Sequence, residues 1–151
     1  MAPLTGETII SAISLKIRSS FSTQEISNIY KNKPLQGMKT PSVFIHQINV
    51  NDENQMRNSS NRQYILDVRV HPPSREMKVY SWLNNISERM RSVLNKIVVD
   101  NKPLKYNSIE CKIEDDVLHC IVNYSFRVID IDDDGTDQVK MNDLKYTERV
   151  I

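Results

Sequence analysis

The pattern most suggestive of chemistry is an acidic run near the end of the sequence, VIDIDDDGTDQVKM. Its D-x-D-x-D-G core matches the first half of an EF-hand loop, which binds calcium through oxygens at positions 1, 3 and 5 and turns at a glycine at position 6. Counting from Asp130, however, position 12 is Met141, which offers no oxygen in place of the glutamate that closes such a loop. The preceding residues alternate like a strand, whereas an EF-hand needs a helix there. We therefore interpret Asp130–Asp137 as a solvated turn and expect no metal ion there.

Other residues capable of chemistry are dispersed along the chain. The histidines, His46, His71 and His119, fall in three separate predicted strands, and neither cysteine belongs to a C-x-x-C pair. The chain has only 3 glycines and contains no Walker loop and no G-x-S-x-G elbow. The acidic side chains of one predicted hairpin are interpreted as solvated: Glu110, Glu114, Asp115 and Asp116. We expect no catalytic, cofactor-binding or metal-binding residues, and so a protein that is not an enzyme.

Composition narrows the possible partners. The 151 residues include 20 basic and 19 acidic side chains, so no strong field points to nucleic acid or to an anionic membrane. The longest apolar runs fall well short of the ~20 residues that span a bilayer. The first residues, MAPLTGETIISAIS, lack the basic start and long apolar block of a signal peptide. These features predict a soluble protein with neither a membrane partner nor specific nucleic-acid binding.

The first half of the chain predicts one helix and three strands. Segment 8–21, TIISAISLKIRSSF, predicts an amphipathic helix opened by Thr5 or Thr8, with apolar side chains at helical spacing: Ile10, Ile13, Ile17 and Phe21. A short strand is predicted around residues 26–30. Two longer strands, SVFIHQINV and RQYILDVRVH, flank a polar segment at 51–62 that we interpret as a long hairpin loop.

The second helix is predicted within PPSREMKVYSWLNNISERMRSVLNKI, with Ser74 as its N-cap. Its apolar stripe consists of Val79, Trp82, Leu83, Ile86, Met90, Val93, Leu94 and Ile97. We expect this stripe to pack on the sheet. The sheet residues expected beneath it are Leu66, Val68, Cys120 and Val122.

A second hairpin is predicted in SIECKIEDDVLHCIVNYSFRVI, with Asp115 and Asp116 as its two-residue turn. This turn pairs Ile113 with Leu118, Cys111 with Cys120, and Ile109 with Val122. The two cysteines then face each other across the hairpin. A disulfide is geometrically conceivable, but apolar neighbours and a reducing site of synthesis favour two packed thiols.

Together these elements predict a single α+β domain over residues 1–132, in the order α-β-β-β-α-β-β. Two helices cover one face of an antiparallel or mixed sheet of four to five strands. A polar C-terminal arm, 133–151, follows.

This order resembles the tail terminator proteins of long-tailed phages, and most of all the terminators of contractile, defective-prophage-like tails in Gram-positive bacteria. The likeness covers about residues 7–130. The hairpin DDVLHCIVNYSFRV and the helix entry PPSREMKVYSWLNNISERM carry most of it.

The resemblance implies a structural role. Family members form a six-fold ring on the tail tube, stop its polymerisation and offer a surface to the collar or head connector. In contractile tails the ring also meets the sheath. It implies assembly in the host bacterial cytoplasm and a final place at the head-proximal end of the tail of a phage or phage-like particle. The charged residues expected to make subunit contacts are the acidic arm and a basic set: Lys31, Lys33, Lys39, Arg57 and Arg62. The alternative from another class is a small calcium- or partner-binding α+β module that uses the acidic 130–137 loop.

Overall fold

The computed structural model describes residues 4–31, 37, 39–56, 58–73 and 79–129. Several predictions concern residues outside this part of the chain. They are the cap at Ser74, the acidic run from Asp130, the boundary at residue 132 and the arm, 133–151.

Within the described residues the chain forms two helices and seven strands. In chain order they are α1 (Gly6–Ser20), β1 (Asn28–Tyr30), β2 (Ser42–Asn54), β3 (Ser59–His71), α2 (Val79–Val93), β4 (Lys96–Val99), β5 (Lys102–Lys105), β6 (Ser108–Glu114) and β7 (Val117–Ile129). The main sheet has the order β1-β2-β3-β7-β6, with β1 parallel to β2 and the other neighbours antiparallel. Strands β4 and β5 form a separate two-stranded sheet. The predicted α+β class is confirmed, but the small sheet was not predicted.

Helix α1 begins with a reciprocal cap between two threonines. The Thr8 amide donates to Thr5 Oγ1 (3.3 Å) and the Thr5 amide donates to Thr8 Oγ1 (2.8 Å), which satisfies two backbone donors that the helix cannot pair internally. The buried face is Ile9, Ala12, Ile13 and Ile17. In the predicted stripe Ile13, Ile17 and Phe21 are buried, and Ile10 is half-buried against the core. The stripe omitted Ile9, which forms the fully buried i, i+4 series with Ile13 and Ile17.

Helix α2 packs on the sheet as predicted. Leu83, Ile86 and Met90 are buried, and Trp82 is half-buried against the same core. The sheet residues predicted to lie beneath the helix are all buried: Leu66, Val68, Cys120 and Val122. The buried Tyr124 hydroxyl donates to the Leu94 carbonyl (2.7 Å), which ties β7 to the chain just after α2.

The helix prediction was wrong at its C-terminal end. The helix ends at Val93, and Ile97 lies in β4. From residue 96 the burial alternates with period two, Ile97 and Val99 inward and Lys96 and Val98 outward. That is the period of a strand.

Both tight hairpins turn through two residues with positive φ. The predicted β6–β7 register is confirmed, with Ile113 opposite Leu118. Its turn residues, Asp115 and Asp116, have φ of 53° and 60°. The β4–β5 turn repeats this geometry at Asp100 and Asn101, with φ of 53° and 65°. Such turns match the right-handed twist of the strands they join.

The predicted loop at 51–62 was wrong. Strand β2 continues to Asn54 and β3 begins at Ser59, and the pairing Asn51–Gln63 through Asn54–Ser60 is regular. These residues are polar because both sides of β2 are exposed from His46 onward. The alternation that marks a half-buried strand is therefore missing, although the backbone ladder continues to Asn54 past a bulge at Ile48.

Candidate interaction surfaces

The sheet face opposite the helices gathers the three histidines of the chain around a buried carboxylate. In the sheet register His46 lies opposite Asp67 and Arg69 opposite His119. Asp67 is only 4% exposed. Its Oδ2 accepts from Arg69 Nε (2.9 Å) and contacts His119 Nδ1 (2.9 Å), whereas its Oδ1 is buried without a hydrogen-bond partner among the described residues.

His71 completes this cluster. Burial lowers the pKa of its imidazole, and the nearby Arg69 and His119 lower that pKa further. Sequence reasoning placed the histidines in separate strands but did not predict that they would lie close together, because only strand order reveals it. Among the described residues no group of three or more His, Cys, Asp and Glu side chains could hold a metal ion.

A second surface is the extended β2–β3 hairpin. Across this hairpin Arg62 donates two hydrogen bonds to Asp52, from Nε to Oδ1 (2.7 Å) and from Nη2 to Oδ2 (3.1 Å). This bidentate contact raises the pKa of the Arg62 guanidinium and fixes the register of the two strands. Three large apolar side chains nevertheless face solvent here: Ile48 (50% exposed), Val50 (41%) and Met56 (84%).

In the same region two strands have a stretch that pairs with a single described neighbour. Strand β1 pairs with β2 only opposite residues 42–44, so among the described strands residues 45–54 of β2 pair with β3 alone, with a bulge at Ile48. On the other side β6 covers β7 only through Asn123, so residues 124–129 of β7 pair with β3 alone among the described strands. Open edges of this length are templates for pairing with another chain.

A third surface lies between α1 and the β4–β5 hairpin. It is an open groove of about 600 Å³ lined in part by Ala12, Leu15, Val98 and Asp100. Leu15 is 72% exposed and Val98 53% exposed. The groove was not predicted, because its floor depends on the small sheet that the sequence reading assigned to a helix end and a connector.

Three members of the basic set expected at subunit contacts lie within the described residues: Lys31, Lys39 and Arg62. Arg62 is paired with Asp52, and Lys31 Nζ donates to Ser11 Oγ (3.3 Å) on α1. Lys39 is exposed. Lys33 and Arg57 lie outside the part of the chain that the structure describes. No helix within that part is long and apolar enough to cross a membrane.

Comparison with known proteins identifies a family for the chain. A family model described as phage tail terminator protein matches residues 8–136, which spans both helices, both sheets and the start of the acidic run. No curated protein matches the chain. Because the family match covers most of the sequence, the chain belongs to the phage tail terminator family, whose members are structural proteins of the phage tail.

Proposed function

We propose that the protein caps the end of a phage-like tail tube as a homo-hexameric ring. In this role it stops polymerisation of the tube protein and of the sheath in a contractile tail, and it joins the tail to the collar or head connector. Membership of the tail terminator family supports a tail role. The observation that carries the ring is the pair of open strand edges on opposite sides of one subunit.

A cyclic ring needs two different patches on each subunit, because every subunit contacts one neighbour with one patch and the next neighbour with the other. The open edges of β2 and β7 meet this requirement. They flank β3 on opposite sides, so adding the β2 edge of one subunit to the β7 edge of the next would continue the sheet from subunit to subunit. Backbone hydrogen bonds would supply the contact.

Strand direction fixes how the two edges would meet. Strands β2 and β7 are both antiparallel to β3 and therefore run in the same direction. In a ring whose axis lies roughly along the strands, β2 of one subunit and β7 of its neighbour would pair in parallel. The exposed Ile48 and Val50 on β2 would then be covered at the joint, which removes apolar surface from water.

The last described residue of β7 lies beside this joint. Ile129, the last residue of β7, lies opposite Ser59 at the end of the β2–β3 hairpin. The arm, 133–151, and the hairpin, 51–62, are therefore the segments that we propose to bridge to an adjacent subunit, the tube or the sheath. Charge complementarity would guide such contacts. Each contact between neighbouring subunits is weak alone, but six such contacts made together on a tube end reinforce one another. The proposal is therefore compatible with a free protein that is a monomer and with one that is already a ring.

Electron microscopy of particles assembled without this protein tests the proposal. A missing cap should give tails of uncontrolled length or tails without a sealed upper end. Supplying the protein from a plasmid should restore one uniform length. Uniform, sealed tails in its absence would exclude the capping role.

A further inference from the structure

The two cysteines of the chain form a close, directly opposed pair. Cys111 of β6 lies opposite Cys120 of β7, and the Sγ atoms of these free thiols are 3.5 Å apart. In a two-residue hairpin the pair next to the turn, here Glu114 and Val117, is hydrogen-bonded, and the pairs alternate from there. The cysteines therefore occupy a non-hydrogen-bonded position, where opposed Cα atoms lie about 4.5 Å apart. That separation falls within the range that a disulfide requires.

The two thiols differ in access. Cys111 lies on the edge strand of the described sheet and is half-buried, whereas Cys120 is 0% exposed in the core. Cys111 is therefore the more accessible member of the pair. Whatever attaches to Cys111 then lies within reach of Cys120.

The surroundings also make Cys111 the reactive member. The hydrogen-bond contact with Cys120, followed by one with Ser87 and by the positive charge of Arg91, lowers the pKa of Cys111. The contact with Cys111 and burial both raise the pKa of Cys120. Since the thiolate is the nucleophile, these opposite shifts favour Cys111 as the attacking thiol.

We propose that Cys111 and Cys120 form a reversible thiol-oxidation site that takes low-molecular-weight disulfides as its substrate class. The Cys111 thiolate attacks one sulfur of the small disulfide, the S–S bond breaks, and one thiolate leaves and takes a proton from water. The Cys120 sulfur then attacks Cys111 and gives up its proton, and the second small thiol leaves with that proton. The two cysteines lose two electrons and become an intrachain disulfide, while the small disulfide is reduced to two thiols.

Closure would covalently join the edge strand β6 to the central strand β7. A reducing cytoplasm keeps such a pair open, and an oxidising exterior favours the closed form. The site would thus close after a particle leaves its host. This inference does not depend on ring formation, because every group that it uses lies within one chain.

Reaction of the native protein with 5,5′-dithiobis(2-nitrobenzoate) tests the proposal. Since the chain has 2 cysteines, all the thionitrobenzoate released comes from this pair. Closure predicts release of about two equivalents per chain and a monomer that carries no adduct and weighs less by the two lost hydrogen atoms. A stable adduct, a disulfide-linked dimer or an unreactive native protein would each overturn it.

Matched variants distinguish attack of Cys111 on the reagent from closure of the Cys111–Cys120 disulfide. Cys120→Ser should release about one equivalent and keep the adduct, because no second thiol resolves it. Cys120→Ala repeats this test with a side chain suited to the core. Cys111→Ser should react at least about tenfold more slowly, because only a buried thiol remains. Reaction of Cys111→Ser at the wild-type rate would show that access does not control the site, and would contradict the proposal.

Discussion

At the residue scale, Arg89 connects α2 to the end of α1 and to the turn that follows it. Its Nη1 contacts Glu25 Oε2, and its Nη2 donates to Glu25 Oε1 (3.3 Å) and to the Ser20 carbonyl (3.2 Å). The guanidinium carbon lies 4.3 Å from the centroid of the Phe21 ring. One arginine of α2 thus holds the end of α1 and the turn after it through charge, hydrogen bonds and a cation–π contact, a combination that lysine cannot reproduce.

The Arg89–Glu25 ion pair makes the free energy of unfolding depend on pH in the acidic range. The Arg89 hydrogen bonds, with help from the Ser22 amide, lower the pKa of Glu25 from 4.5 to about 2. Because the folded-state pKa is depressed, the contribution is fully present above pH 4.5 and is lost as the pH falls toward about 2. Both side chains are more than one-third exposed, so we expect it to be about 1 kcal/mol or less.

Urea unfolding of the wild type and Glu25→Gln across this pH range measures the effect. The wild type should lose more stability than the variant between pH 4.5 and about 2. Glu88→Gln removes an exposed ion pair with Arg91 on the same helix and should change stability by only a few tenths of a kcal/mol. Parallel pH curves for the wild type and Glu25→Gln would refute the role of this pair.

At the element scale, α2 packs its buried side chains on the sheet and so forms the helix-on-sheet core. Leu83 is 0% exposed in the centre of that core. Leu83→Ala should lower the free energy of unfolding by about 2–5 kcal/mol, because it removes buried surface and leaves a cavity. Asn85→Ala, at an exposed position of the same helix, should stay within about 0.5 kcal/mol of the wild type. Equal denaturation midpoints for the two variants would contradict this layout.

The two positive-φ turns give a second element-scale prediction. Asp116 and Asn101 each hold φ near 60°, a conformation that glycine adopts without strain. Asp116→Gly and Asn101→Gly should each raise the free energy of unfolding by about 0.5 kcal/mol, whereas Asp116→Val should lower it by about 1 kcal/mol or more. Thermal melting of the three variants measures the order of their stabilities. A valine variant as stable as the glycine variant would contradict the turn geometry.

Elements with a buried face were predictable from the sequence, because burial imposes a period. The β6–β7 register followed from one turn and one apolar alternation, and Leu83, Ile86 and Met90 followed from helical spacing. The β4–β5 hairpin was missed because Ile97 also fits the spacing of the preceding helix. The Asp100–Asn101 pair between apolar residues was the available signal, of the same kind as Asp115–Asp116.

The interaction surfaces were less predictable. Exposed strands such as β2 beyond His46 have no burial period, so their polar residues resemble a loop. Open edges are a property of strand order, which depends on pairings between residues far apart in sequence. The cluster around Asp67 was not predictable for the same reason. His46 and His119 lie beside the same segment of β3 only because β2 and β7 both flank that strand.

At the scale of the whole molecule, the core and the proposed contacts are spatially separate. The helices, the small sheet and one face of the main sheet enclose a continuous apolar core. The proposed ring contacts, with the exposed Ile48, Val50 and Met56 beside them, lie along the β2–β3 hairpin and the end of β7. A subunit built in this way can fold before it assembles, because its core does not require a neighbour. Variants at the margins should therefore separate assembly from folding.

Val50→Asp is the variant that tests this separation. Val50 lies on the open part of β2 and is 41% exposed, so a carboxylate there leaves the isolated fold within about 0.5 kcal/mol of the wild type. In the proposed ring the same carboxylate would be buried against the β7 edge of a neighbour without a partner, at a cost that weakens each of the six contacts. Supplied to particles that lack the native protein, Val50→Asp should fail to restore uniform, sealed tails in electron micrographs.

Tyr80→Asp is the matched control. It changes a comparably exposed apolar residue (57%) on α2, away from both edges, and should restore uniform, sealed tails. Uniform tails with Val50→Asp would remove the β2 edge from the ring contact, whereas failure of both variants would show that the edge has no special role.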